Sequence, residues 1–184
     1  MEFFDVISTR RSVRGYKDAP VEEEKIVKCL ETARLAPSWK NGQCWNLIVV
    51  RDKEKIKAMA HPIVNPWLPQ APCVIVACAD PKKSGERDGR QYYLVDTGIA
   101  MEHLVLAAAA QGLGTCWIGI YDEAKIKEML QIPEEMRVVA LTPLGYPDEE
   151  NNLRVRITKG LIEKFSPRRK LEETAFFEKF GKTK

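Results

Sequence analysis

Apolar residues recur at helical spacing in some stretches of the chain and run together in others, and the two patterns lay out its elements. Phe3, Phe4, Val6 and Ile7 suit a short amphipathic helix. Ile26, Val27, Leu30 and Ala33 form the buried stripe of a longer one, with Pro20 in its first turn and Glu22, Glu23 and Glu24 at its positive end. Pro37 stops that helix, and residues 37–43 form a loop. Residues 45–50 read as a strand, and Asp52 as the cap of a short helix running through Ile56 to Ala60. Three prolines make 61–70 irregular. Residues 72–79 are almost wholly apolar and rich in Val and Ile, which predicts a central strand buried on both faces.

Residues 82–88 are a charged, exposed loop, followed by the longest helical segment, from about Arg90 to Gln111. Its middle is apolar on most sides, which predicts burial all round, part of it against a second subunit in a chain of this size. Gly112 ends it. Residues 113–120 are a short strand or extended turn, Asp122 caps a helix carrying Ile126, Met129 and Leu130, and 136–144 form a last strand closed by Gly145-Tyr146-Pro147-Asp148. Beyond about residue 150 the sequence is polar, with Phe165, Leu171, Phe176, Phe177 and Phe180 as isolated anchors. Such a tail buries too little to fold alone and must wrap something, a partner subunit being the natural candidate. Helices come first and strands are dispersed, so the expected fold is a single α+β domain over 1–184, with a mixed, mostly antiparallel central sheet flanked by helices.

Composition narrows the function classes. A net charge of +3, spread along the chain, does not make the concentrated basic face of a nucleic-acid binder. The longest apolar run, Leu104 to Ala110, is too short to span a bilayer, and the acids Glu2 and Asp5 stand where a secretory leader is basic. Five cysteines, an odd number without a CxxC pair, indicate a reducing cytoplasm. His61 and His103 are far apart in sequence, and no metal site is expected. Gly112-Leu113-Gly114 follows a helix and lacks a third glycine, so it is not a dinucleotide fingerprint.

Candidate chemistry begins at Thr9-Arg10-Arg11-Ser12-Val13-Arg14-Gly15-Tyr16. Three guanidinium groups and a hydroxyl within five residues can hold a phosphate. An extended backbone would put Arg10, Ser12 and Arg14 on one side and Arg11 on the other. A short basic run is otherwise a solvated loop. Four further segments follow in order: Ala36-Pro37-Ser38-Trp39-Lys40-Asn41-Gly42-Gln43-Cys44-Trp45, Gly112-Leu113-Gly114-Thr115-Cys116-Trp117-Ile118-Gly119, Leu144-Gly145-Tyr146-Pro147, and Pro167-Arg168-Arg169-Lys170-Leu171-Glu172-Glu173. Together, over nearly the whole chain, these resemble the nitroreductase family of FMN-dependent oxidoreductases, in its compact branch.

The resemblance implies an intertwined homodimer, its C-terminal tail reaching the partner, with two FMN sites each built from both chains. Arg10, Ser12 and one or both of Arg168 and Arg169 would hold the phosphate, and Arg14 the pyrimidine edge of the ring. Pro37, Ser38, Trp39 and Asn41 would come from the other subunit. Ile118 and Gly119 would present backbone N–H groups to flavin N5 and O4. Arg11, Gln43, Cys116 and Trp117 complete the set, and Asn65 is the candidate for the O4/N3 edge. Cys44 stands where the family has proline and reads as a small buried residue.

The activity so implied is hydride transfer from NADH or NADPH through flavin N5 to a nitroaromatic, quinone or enone acceptor in ping-pong turnover. The cofactor carries the chemistry and no protein acid or nucleophile is required, with Arg14, Ile118 and Gly119 in support. Reductive dehalogenation, flavin fragmentation and a non-enzymatic flavin-binding module are the alternatives. Trp39, Trp67 and Trp117 could line the acceptor pocket or simply pack, Tyr92 and Tyr93 could donate a proton or pack, and Asp96 reads as structural.

Overall fold

The computed structural model describes residues 2–148 and 168–182, and the chain divides into two compact units, 1–149 and 150–184. In the first unit the elements are α1 (Phe3–Thr9), α2 (Glu23–Arg34), β1 (Trp45–Val50), α3 (Lys53–Met59), β2 (Cys73–Ala79), β3 (Glu86–Arg87), β4 (Arg90–Gln91), α4 (Tyr92–Ala110), β5 (Gly114–Thr115), α5 (Glu123–Leu130) and β6 (Arg137–Gly145). The main sheet has the order β1-β2-β6-β5 with every pair of strands antiparallel. Among the described residues its one parallel contact is an isolated bridge between Ser12 and Thr115. This is the expected α+β architecture.

All seven residues of β2 are buried. Val74, Val76 and Cys78 face one core with Ile56, Met59 and Ile126 of α3 and α5, while Cys73 and Ile75 face another with Ile26, Ala33 and Leu104 of α2 and α4. The continuous apolar run therefore reflects helices on both faces, although the pairing is antiparallel. A bulge between Ala77 and Cys78 pairs Ala77 with Ala140 and Cys78 with Val138, leaving Val139 as the extra residue. It resets the alternation of β6, so that Val138 and Leu141, an odd number apart, share one core.

Four expectations change in detail. The helix expected to start at Pro20 starts at Glu23, with Glu22 as its N-cap. Residues 82–88 are not a plain loop: Pro81–Lys83 form a 3₁₀ turn and β3 and β4 pair as a hairpin closed by Gly89 at φ +74°. α4 buries Tyr93, Asp96, Thr97, Ala100, Met101, Leu104, Val105 and Ala108, a helical stripe, but its other side is open in the single chain, with Leu94 and Val95 about half exposed at 49% and 52%. At 19 residues α4 is also long and apolar enough to cross a bilayer by length and composition, longer than the run read from the sequence, yet its buried stripe makes it the core helix of this sheet.

Gly145 closes β6 where three segments meet. A Cβ there would lie 2.7 Å from Pro72 Cδ and 3.0 Å from Tyr16 Cδ1. Gly145→Ala is expected to lower the unfolding free energy by about 1–3 kcal/mol through this overpacking, measured as a fall in the denaturant midpoint at unchanged slope.

Candidate functional site

The arginine segment is held to the sheet by its backbone. Val13 N donates to Thr115 O at 2.8 Å, Lys17 N to Tyr146 O at 2.9 Å, and Asp148 N to Gly15 O at 2.9 Å. Burial follows the extended alternation: Val13 and Gly15 are buried, while Ser12 and Arg14 are half-buried between them. Gly114 makes the approach possible, since a Cβ on it would come within 2.8 Å of the Val13 side chain. Arg10 is half-buried and Arg11 exposed, and both line a cleft of about 150 Å³ with Gly112, Gly114 and Pro147. The Arg10 side chain has no hydrogen-bond or ion-pair partner among the described residues. A fixed backbone carrying guanidinium groups at a cleft mouth suits a phosphate.

Residues 115–120 run along the free edge of β6. Cys116 N donates to Thr142 Oγ1 at 3.2 Å, and Ile118 exchanges both backbone bonds with Leu141, at 2.9 and 3.0 Å. The expectation for Ile118 is thereby corrected: its N–H is consumed by the sheet and is not available to a ligand. Gly119 is different. It is exposed, its N–H has no partner among the described residues, and a Cβ added to it would meet nothing within 4 Å. Trp117 beside it is 39% exposed.

Asn65 is also corrected. It is 1% exposed, its Oδ1 accepts from His61 N, and its Nδ2 donates to Ile120 O at 3.5 Å. It builds the 61–68 turn and ties it to the 115–120 segment from behind. Trp67 packs against Val13, Tyr16 and Ala71, as ordinary core.

The loop 37–44 stands at the other end of α4. Lys40, Asn41 and Gln43 all have positive φ, at 47°, 57° and 46°. A non-glycine residue in this region costs roughly 1–2 kcal/mol, so the surroundings must over-determine the loop. They do. Ser38 Oγ accepts from Gln43 N at 3.0 Å, and Gly42 N donates to Trp39 O at 2.8 Å. Gly42 rests on the Lys83 carbonyl, 2.0 Å from where its Cβ would be. Asp96, buried on α4, accepts from Trp39 N at 2.9 Å through Oδ1 and from Ser84 Oγ at 2.7 Å through Oδ2. The Trp39 ring lies against Tyr92, centroids 4.3 Å apart, and against Gly85. Pro37, Asn41 and Gln43 are exposed on this loop.

Asp96, Ser84 and Gly85 are the contributors that sequence reasoning did not connect to the loop. A signal existed, because a lone carboxylate on the apolar face of a helix must find donors. Asp96 lies 13 residues from Ala109, or about 20 Å along the helix at ~1.5 Å per residue.

In the second unit, Leu171–Glu173 form a 3₁₀ turn. Arg169 is tied to Glu173 through its backbone oxygen and its carboxylate, the latter at 3.5 Å. Arg168 is exposed with no side-chain partner among the described residues. The expected tail anchor Phe165 lies outside the described residues.

The family model described as "Nitroreductase family" matches residues 7–66 and 60–146. The chain is 40% identical to a protein of Archaeoglobus fulgidus provisionally named NADH dehydrogenase/NAD(P)H nitroreductase, over 82% of this chain and 88% of the other. It is 30% identical to the FMN reductase (NAD(P)H) of Bacillus subtilis, over 88% of this chain and 72% of the other. Among solved structures, a nitroreductase family protein from Clostridium novyi NT superposes with a TM-score of 0.77 at 37% identity, covering 100% of this chain and 97% of that one.

All five cysteines are free and buried. Burial pushes the Cys29 and Cys78 thiols up from 9.0 to about 11 and that of Cys73 to about 12. Burial, aided by the Asp96 charge, raises Cys44. A thiol is nucleophilic only as thiolate. Ellman's reagent at neutral pH is expected to leave the folded protein unmodified while the unfolded chain releases five equivalents. Above pH ~9 the unfolded thiols lose protons that the folded ones keep, so stability should fall as pH rises past that value.

Proposed function

The chain belongs to the nitroreductase family, and we propose that it is the FMN-dependent oxidoreductase that passes hydride from NADH or NADPH to a small electron-poor acceptor of nitroaromatic, quinone or enone type. The observation that carries this reading is the pairing of a backbone-fixed arginine segment with an exposed Gly119 whose N–H has no partner among the described residues. FMN bears a phosphate of roughly two negative charges at one end and a flat ring at the other. The residues present fit it. Guanidinium groups at the cleft suit the phosphate, and an exposed glycine with open space where a Cβ would stand suits close approach of a ring.

When bound, FMN supplies the redox chemistry, taking hydride at N5 from NAD(P)H and giving it to the acceptor. The chain's own residues do the rest. Arg10, Arg11 and Ser12 hold the phosphate. Arg14 places a cation where negative charge develops on reduction, at the pyrimidine edge, and so favours hydride acceptance. Gly119 N–H, Cys116 and Trp117 line the N5 side. Pro37, Ser38, Trp39, Asn41 and Gln43 cover the ring from a second chain.

The exposed apolar side chains of Phe3, Phe4, Leu94 and Val95 support a homodimer whose partner covers them. Donor and acceptor then use one open ring face in turn, giving ping-pong kinetics. Five free thiols support a reducing compartment, the cytoplasm.

The deciding measurement is the visible spectrum of the purified protein before and after anaerobic NADH and NADPH. A flavin band that bleaches with either is expected. A band that persists would favour dehalogenation, flavin fragmentation or a binding role, and no band even after added FMN would sink the reading. Arg10→Ala should weaken FMN retention by about 10–100-fold, the loss of a charge-assisted hydrogen bond worth roughly 1.5–3 kcal/mol, read by fluorescence titration. Arg14→Ala should keep the flavin but lower its potential and slow its reduction, followed by stopped flow.

A further inference from the structure

We infer that Asp96 is a positioning residue that presents the Trp39 indole as a fixed aromatic wall, and that this wall selects planar aromatic acceptors. The inference rests on the reading that loop 37–44 covers a flavin. Three observations converge on it. First, the loop is strained at Lys40, Asn41 and Gln43, and strain of this kind survives where a site demands a set geometry. Second, the Asp96 carboxylate reaches both segments that shape the wall: Oδ1 accepts from Trp39 N, and Oδ2 accepts from Ser84 Oγ next to Gly85. Third, the indole is seated at the base of the β3–β4 hairpin, where Tyr92 N donates to Gly85 O at 2.9 Å and the Tyr92 ring meets Trp39.

That seat has no slack. A Cβ on Gly85 would lie 2.3 Å from Trp39 Cε2 and 2.4 Å from its Nε1. The backbone of Trp39 is thus fixed by a buried carboxylate and its ring by a glycine and a tyrosine. In this inference the part of the half-buried indole that Gly85 and Tyr92 leave uncovered meets the acceptor's flat ring, and it does so without first losing rotamer freedom. An acceptor without a π face gains nothing from it.

The test compares wild-type holoprotein with Trp39→Ala, Gly85→Ala, Asp96→Ala and Asp96→Asn. Three readouts are taken: calorimetric affinity for p-nitrobenzoate, KM and kcat with the same compound, and reoxidation of dithionite-reduced protein by ferricyanide, a one-electron acceptor that needs no stacking. Near-UV circular dichroism reports the Trp39–Tyr92 pair. Gly85→Ala and Asp96→Ala are expected to weaken p-nitrobenzoate binding and raise its KM about tenfold, with kcat and ferricyanide reoxidation within about twofold. Asp96→Asn should stay near wild type, because its amide oxygen still accepts from Trp39 N and its amide nitrogen can donate to Ser84 Oγ.

Rates that fall together for both acceptors would make Asp96 merely structural and overturn the inference, as would unchanged p-nitrobenzoate affinity in Gly85→Ala, which stands even if Asp96→Ala does not fold. If Trp39→Ala shifts p-nitrobenzoate while Gly85→Ala and Asp96→Ala do not, the inference fails with the reading of the loop intact. If Trp39→Ala shifts nothing, the loop does not face the acceptor, and both fail.

Discussion

A strand with no exposed side chain must be covered on both faces, and that requirement at β2 organises the rest of the molecule. The side chains of Cys73–Ala79 alternate between two cores, so α2 and α4 must lie on one side of the sheet and α3 and α5 on the other. Covering the sheet along its length takes a long helix, and α4 supplies it. One consequence is functional. The arginine cleft is anchored at the C-terminal end of that helix and loop 37–44 near its N-terminal end, so the two groups of proposed flavin contacts are held apart by the element that makes the core. The unburied Leu94 and Val95 mark the side of α4 where covering apolar surface would be favourable.

The sheet also decides which backbone groups remain for a ligand. Antiparallel pairing uses donors in strict order, and the Ile118–Leu141 bridge uses both groups of Ile118. The chain turns away from the sheet one residue later. The N–H of exposed Gly119 has no partner among the described residues. Asn65 ties the 61–68 turn to this segment through the Ile120 carbonyl.

Loop 37–44 shows the opposite economy. The arginine segment is ordered by joining a sheet, whereas this loop is ordered against its own backbone preference by side chains and glycines elsewhere. Asp96, Ser38 and the packing of Gly42 on Lys83 hold three residues in left-handed conformations.

By itself the sequence determined the elements and their chemistry. A continuous apolar run placed β2, and aspartate caps followed by apolar residues placed α3 and α5, each within a residue or two, because burial on both faces and capping are local signatures. Arg10 to Arg14 could be read as an anion site because guanidinium spacing is visible in the chain. Tertiary structure decided what depends on distant partners. It spent the Ile118 N–H on Leu141, enclosed Asn65, paired β3 with β4, left one side of α4 open and turned Asp96 from a lone acid in an apolar helix into the clasp of a loop 57 residues away in sequence. Hydrogen bonds between remote segments leave no periodicity behind them. A donor is free or consumed only once the fold has chosen its neighbours.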